Sequence, residues 1–411
     1  MSEGLLTWVQ VDLKALANNY RQLRQLASRN MAHSLGIMPV IKADAYGHGL
    51  LQVARCLSAE GCAYFGVSNI AEGRTLREAG FKQTILVFES TLPDCAQQII
   101  DYGLVPTVCT RLLAKAINEC ARRKNKTVGV HVKVDTGMGR LGVEEKEAGD
   151  FVRQLVKDFP FLKLEGIYTH FPLADTDRDF TLAQMRRFRD IVLALQNKGI
   201  TVPFIHAGNS MGMGDYKSEI FNIARPGLML YGLYPSVRLV DQVKLKPVMS
   251  VHSRVIFVKR IAKNQGVSYG HTFKAPKDMA IAVLPIGYSN GYLRSLSNKA
   301  AVLIEGVKCP VLGRVTMDQI MVDITALHVQ DIDSLLGRKA VILGHQKSQH
   351  VTADDLALWA GTINYEMICA LGNLLPRVYP VDRQAVTSDD REEKNQLFEL
   401  GKYSRQGYQK K

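Results

Sequence analysis

The sequence predicts an α/β protein: a (β/α)8 barrel over residues 1–240, a mostly β domain over 241–383 and a polar tail over 384–411. From about residue 35 to 235, eight short β-branched runs alternate with amphipathic stretches, and from about Lys244 to Tyr379 the chain turns strand-like between Gly, Pro and Asp turns. Regular βα alternation produces parallel strands joined by helical crossovers, and eight such units can close a barrel.

In order, the expected barrel strands are Met38–Ile41, Tyr64–Val67, Thr84–Phe88, Val105–Val108, Val128–Val134, Leu164–Thr169, Val202–His206 and Ile223–Gly227. Between them, Leu51–Ala59, Ile70–Ala79, Leu112–Arg122, Glu145–Lys157 and Thr181–Gln196 carry apolar residues near a 3.6 period and are expected as helices. In the second part, Val248–Ile261, Met279–Leu284, Ala301–Ile304 and Ala340–Leu343 read as strands. After Asp382 the chain is polar and charged, as in a helical or disordered tail.

Composition removes several classes of function. With 411 residues, 46% of them apolar, the chain can bury a core without staples. Its seven cysteines, an odd number without a CxxC pair, read as reduced thiols. The N-terminus lacks a basic-then-apolar leader and no run is long enough to span a membrane, so a cytoplasmic protein is expected. The net charge of +13 is interleaved with acids along most helices, which reads as a solvated face, and nucleic acid is not expected as a partner. The ten histidines form no HxH or HExxH pattern, so no metal is expected either.

In a parallel barrel, functional groups sit where strands end at the C-terminal face. The first expected strand ends in Lys42, before Asp44, Tyr46 and His48; the fifth holds Lys133 and leads to Asp135 and Arg140; the sixth ends in His170. The seventh ends in His206 with Asn209 and Ser210, and the eighth reaches Arg225 and Gly227. A lysine after an apolar strand is ordinarily a solvated strand end. At a barrel mouth, Lys42 would instead be partly desolvated beside other cations, which lowers an amine pKa and suits Schiff-base chemistry. Residues 137–142 (GMGRLG) match GxGxxG with Asp158 following, a dinucleotide-binding pattern. It falls after four βα units, however, and Arg140 sits inside the turn.

Together these segments resemble alanine racemase, a pyridoxal-phosphate enzyme family with an N-terminal barrel and a C-terminal β domain. The likeness spans roughly residues 5–380: VIKADAYGHG at 40–49, VKVDTGMGRLGV at 132–143, YTH ending at His170, HAGNS at 206–210, ARPG at 224–227, VSYG at 267–270, IGYSNG at 286–291, MDQ at 317–319 and TINYE at 362–366. The resemblance implies interconversion of L-alanine and D-alanine, supplying D-alanine for peptidoglycan, with pyridoxal 5'-phosphate held by Lys42. It implies a homodimer in which Tyr269 of the partner subunit is the second base. Tyr46, Asn209, Ser210, Gly227, Leu228 and Tyr365 would bind the cofactor, Arg225 would face the pyridine nitrogen, and His170 would link Tyr269 to Arg225. Arg140 would approach the cofactor's ring oxygen and the substrate carboxylate, Tyr288 would line the entrance, Met317 and Asp318 match positions that the partner subunit contributes to the substrate pocket, and Lys133 matches a position where a carbamylated lysine often orients that arginine.

The chemistry accounts for these residue types. Racemisation removes an α-proton from one face of a carbanion and returns one to the other, so it needs a base on each face. A tyrosine works as such a base at neutral pH beside cations that lower its pKa. Thr316, Gly208 and Pro172 depart from the commonest pattern of the family, leaving breadth toward serine open. The competing classes on similar architecture are pyridoxal-phosphate decarboxylases and non-catalytic pyridoxal-phosphate-binding barrel proteins. The first would carry a glycine-rich phosphate loop and a Cys-centred motif in the β domain; the second lacks a β domain.

Overall fold

Six of the eight expected staves form a continuous parallel ladder in the computed structural model, which describes residues 4–31, 34 and 36–380. They are Tyr64–Val67, Thr84–Ser90, Val105–Val108, Val128–Asp135, Leu162–Tyr168 and Phe204–His206, paired in that order. The remaining two, near residues 37–41 and 223–227, close the ring by scattered hydrogen bonds. The Met38 and Val40 N–H groups donate to the Ala224 and Pro226 carbonyls at 2.7 and 2.9 Å, and the Ile41 N–H donates to the Gly66 carbonyl at 2.9 Å. Neither sustains a regular ladder because each contains a proline, Pro39 and Pro226, with no N–H to give.

The crossover helices fall where the periodicity puts them: Leu50–Ala59, Ile70–Glu78, Arg111–Arg123, Ala148–Asp158 and Arg178–Gln196. Side-chain caps start three of them: Asn69 accepts from the Glu72 N–H, Thr110 from Leu113 and Asp177 from Phe180. A short helix, Ala96–Asp101, has too few turns to show a period. A long one, Leu13–Asn30, capped by Asp12, packs along the barrel before its first stave.

The second part is a mostly antiparallel sheet. Its strands run Phe257–Ile261, Met279–Leu284, Ile320–Asp323, Val307–Leu312, Ala301–Ile304, Lys339–Gln346, Met249–Arg254, Thr7–Val11 and Arg377–Val378 in spatial order, with Gln349–Val351 paired to Lys339–Gln346. The expected run Val248–Ile261 is two strands because it changes partners near Val255. Met249–Arg254 pairs with Thr7–Val11 and Lys339–Gln346, whereas Phe257–Ile261 pairs with Met279–Leu284.

Thr7–Val11 lies inside the stretch read as barrel, yet it is hydrogen-bonded into this second sheet, antiparallel to Met249–Arg254 and parallel to Arg377–Val378. The division at residue 240 therefore does not hold for the first strand: its mostly buried residues serve a sheet whose other strands come more than two hundred residues later. The tail expected from 384 onward lies outside the described residues.

Val9, fully buried in this strand, joins both flanking strands. Val9→Ala is expected to cost about 2 kcal/mol, read as a lower urea midpoint at unchanged slope.

Candidate active site

The first stave ends in an unusual backbone. After Lys42, four residues lie in the left-handed region, with φ of 53° at Ala43, 52° at Asp44, 56° at Ala45 and 53° at Tyr46. L-residues pay on the order of 1–2 kcal/mol each for this conformation. The turn persists because its surroundings over-determine it. The Glu72 carboxylate accepts the Ala43 N–H at 2.6 Å, and Asp44 accepts the Leu50 N–H at 2.6 Å. From the β domain, Arg377 pairs with Asp44 and donates to the Gly47 carbonyl at 3.2 Å, while the Tyr379 hydroxyl donates to the His48 carbonyl at 3.0 Å. Gly47, at φ 79°, meets Gly372 so closely that a β-carbon at Gly47 would lie 2.8 Å from the Gly372 Cα.

The turn aims Lys42 into a cavity of about 540 Å³ at the barrel mouth. Lys42, Lys133, Arg140 and Arg225 line it, against a single carboxylate, Glu89. Such a wall suits an anionic ligand. Burial lowers the Lys42 pKa, assisted by Arg140 and opposed by Glu72.

Among the uncharged lining groups are the Tyr46, Ser210 and Tyr365 hydroxyls and the Asn209 amide, beside Gly227 and Leu228. The Ser210 hydroxyl accepts N–H groups from Gly227 at 3.1 Å and Met229 at 3.3 Å, so its own proton is left to donate outward. A β-carbon at Gly227 would stand 2.4 Å from the Tyr46 hydroxyl, so the glycine keeps that hydroxyl in place.

Arg225, 4% exposed, donates to the Thr169 and Ala207 carbonyls at 2.9 and 3.1 Å. Its other nitrogen meets His206 Nδ1, and His206 Nε2 meets His131 Nδ1 at 2.9 Å. His170 Nδ1 lies 3.4 Å from Arg225 Nη2. No carboxylate pairs with this guanidinium among the described residues, and burial lowers its pKa to about 10. The same burial and cation hold His170 and His206 well below the ordinary histidine range. His131 escaped the sequence reading, although its position two residues before Lys133 on one strand puts both on the same inward face.

Lys133 is 3% exposed, and burial with Arg140 and Arg225 nearby pushes its pKa down to about 8. The GxGxxG turn beside it is filled from within: one Asp135 oxygen accepts the N–H groups of Gly137, Met138 and Gly139 at 2.9, 2.8 and 3.2 Å. The amides that would cradle a pyrophosphate are thus already engaged. Among the described residues no cluster of His, Cys, Asp or Glu could hold a metal, and no helix is long and apolar enough to cross a membrane.

Four expected site residues lie outside this cavity. Tyr269, Tyr288, Met317 and Asp318 are all exposed on the β domain, Tyr269 to 71%. Hydrogen bonds knit their loops together: Ser268 Oγ donates to the Arg314 carbonyl at 2.6 Å, the Tyr288 N–H to Thr316 at 3.1 Å, and Ser289 Oγ to Asp318 at 2.8 Å. Within one chain the two groups form separate surfaces, a lysine-bearing cavity and an aromatic patch.

The fold and cavity define a barrel enzyme with an added β domain and a lysine-lined cavity at the barrel mouth. Models of the alanine racemase N-terminal and C-terminal domains match residues 11–235 and 248–379, and the chain belongs to the alanine racemase family. It is 40% identical over 374 residues to the alanine racemase of Halothermothrix orenii, covering 91% of this chain and 96% of that one. The Nostoc alanine racemase is also 40% identical, over 375 residues and 90% and 95% of the two chains. Among solved structures, alanine racemase from Clostridium difficile 630 superposes with a TM-score of 0.85 at 33% identity, over 93% of this chain and 98% of that one. The Bacillus anthracis enzyme, solved with bound L-Ala-P, gives 0.83 at 32%, over 92% and 95%.

Buried histidines near the site give its acid limit. Burial holds the His48 pKa at about 4 and the His131 pKa at about 3, so both stay neutral in the fold where the unfolded chain binds protons. Stability should be full above about pH 6.5 and fall as pH drops toward 4, by at most about 1.4 kcal/mol per unit for each group. His48 Nδ1 donates to the Ala45 and Tyr46 carbonyls, bonds an asparagine amide can imitate. His48→Asn is expected to flatten the slope between pH 6.5 and 4 in stepped-pH urea titrations.

Proposed function

We propose that this protein interconverts L-alanine and D-alanine with pyridoxal 5'-phosphate held on Lys42, in the cytoplasm, supplying D-alanine for peptidoglycan. The observation that carries this is the shared cavity: Lys42 and Lys133, both amines of lowered pKa, a set of hydroxyl and amide groups, and a buried arginine without a carboxylate. The residues present fit the cofactor. Tyr46, Asn209, Ser210, Gly227, Leu228 and Tyr365 match a phosphate monoester, and Arg225 is left for the ring nitrogen. When bound, the cofactor supplies the electron sink that makes an α-proton removable.

The chain's own groups do the rest. Lys42, aimed by its turn, exchanges a proton with the substrate α-carbon from one face. The exposed Tyr269 exchanges one from the other face of a second copy's site. His170 and Arg225 give that tyrosine a cationic neighbour. Arg140 takes the substrate carboxylate, while Tyr288, Met317 and Asp318 complete the pocket of the partner subunit. The exposed aromatic patch and the open cavity are complementary halves, and a two-fold dimer joins both pairs through one self-complementary interface.

Purified protein given single L-amino acids should produce D-alanine in a chiral assay, and borohydride reduction followed by peptide mapping should place the pyridoxyl group on Lys42. Lys42→Ala and Tyr269→Phe chains, each inactive, should regain about a quarter of wild-type activity when mixed, since half the dimers are mixed and each holds one good site of two. No recovery after demonstrated subunit exchange would put both bases in one chain.

Lys133 in this reading is carbamylated: its amine attacks carbon dioxide, the new N–C bond forms, and a proton leaves to solvent. A pKa lowered to about 8 leaves some amine neutral at physiological pH. The carbamate turns a cation that repels Arg140 into an anion that can hold it. Activity should fall on removal of carbon dioxide and return with bicarbonate, whereas Lys133→Ala should respond to a short added carboxylate and not to bicarbonate.

A further inference from the structure

We propose that Glu72 is the positioning residue for Lys42: its carboxylate caps the left-handed turn and fixes the direction in which the lysine enters the cavity. The proposal rests on the reading that Lys42 carries the cofactor.

A left-handed turn, like the start of any helix, leaves its first N–H groups without intrahelical acceptors. Here Glu72 accepts them. Its Oε1 takes the N–H of Ala43 at 2.6 Å, and that N–H belongs to the peptide bond directly following Lys42. The peptide plane, and with it the setting of the Lys42 backbone, is therefore held by a group on another element. Oε2 takes the Ser68 N–H at 2.7 Å, tying the turn to the end of the second stave. Glu72 is itself anchored, because its N–H donates to the Asn69 cap at 3.0 Å in the first turn of the helix Ile70–Glu78. Ser68 extends the link to the cavity wall: its hydroxyl donates to Glu89 at 2.6 Å, and both line the pocket.

The same carboxylate sets the charge around Lys42. Arg140 and His170 face the amine from the barrel mouth, Cys369 from the helix Asn364–Leu374, Glu72 from the helix Ile70–Glu78 and Glu89 from the third stave. Arg140 repels the lysine proton; the two carboxylates retain it. Glu72 in turn faces Lys42, Glu89 and Tyr231, and burial raises its own pKa against the backbone N–H groups that hold it ionised. Geometry and charge thus act through one side chain.

Two full-length variants separate these contributions. Glu72→Gln keeps size and one acceptor oxygen but removes the charge. Glu72→Asp keeps the charge but is a methylene too short to span Ser68 and Ala43. The Lys42 titration is read twice: from the visible absorption of the cofactor-loaded protein against pH, and from acetylation of Lys42 against pH after the cofactor is stripped, located by peptide mass spectrometry. Glu72→Gln should lower both midpoints by about one pH unit and reduce kcat at least tenfold, with the KM for alanine changing less than threefold. Glu72→Asp should lose kcat similarly, with less than half of that titration shift. A folded Glu72→Gln protein with an unmoved Lys42 titration, or a Glu72→Asp protein with wild-type kcat, would overturn the proposal. Borohydride mapping on the unsubstituted protein tells the two failures apart: an adduct on another lysine defeats the reading of Lys42, whereas an adduct on Lys42 with unmoved titrations defeats the role of Glu72 alone.

Discussion

Four consecutive left-handed residues that are not glycine cannot be held by local preference. The segment Ala43–Tyr46 is unfavourable at every position, and it exists because the barrel holds it through Glu72 while the β domain holds it through Arg377, Tyr379 and the close meeting of Gly47 with Gly372. Much else follows from it. The turn brings Tyr46 back against Gly227, sets its ring tilted at 31° to that of Tyr231 with centroids 4.9 Å apart, and leaves Lys42 lining the cavity. The β domain thus serves the site of its own chain by bracing it, quite apart from the aromatic patch it exposes.

The electrostatics of the mouth are lopsided for a reason of the same kind. Four cations share one cavity with a single carboxylate, and two of the cations, Lys133 and Arg225, are almost fully buried. Unpaired buried cations are expensive, and an anionic ligand in the cavity would offset that cost. Arg225 is braced by carbonyls and by His206, which in turn leans on His131. Those two imidazoles, kept neutral by burial, support the guanidinium without discharging it.

Strand alternation and helical period in the sequence were enough to place most barrel elements, since apolar periodicity reports directly on burial. The first and last staves departed from regular ladders where Pro39 and Pro226 interrupt hydrogen bonding, a detail also legible in the letters. Lys42, Lys133, His170 and Arg225 were legible because strand ends in a parallel barrel share one face. The left-handed turn was not. Alanine and tyrosine carry no preference for positive φ, and the cause lies in Glu72 and Arg377, which act on backbone atoms and leave no pattern in side-chain spacing. The allegiance of Thr7–Val11 was hidden likewise: an apolar strand reports that it is buried, but not in which sheet.

That first strand has a consequence for how the molecule is made. Thr7–Val11 lies between Met249–Arg254 and Arg377–Val378, so it is made more than two hundred residues before either of its neighbours exists. Contacts of such sequence separation form slowly. Until they do, an apolar strand and the sheet edge meant for it both stand open, the condition in which chains pair with the wrong partner. The barrel is in effect an insertion within the β domain, whose sheet cannot close around its first strand until Arg377–Val378 has been made.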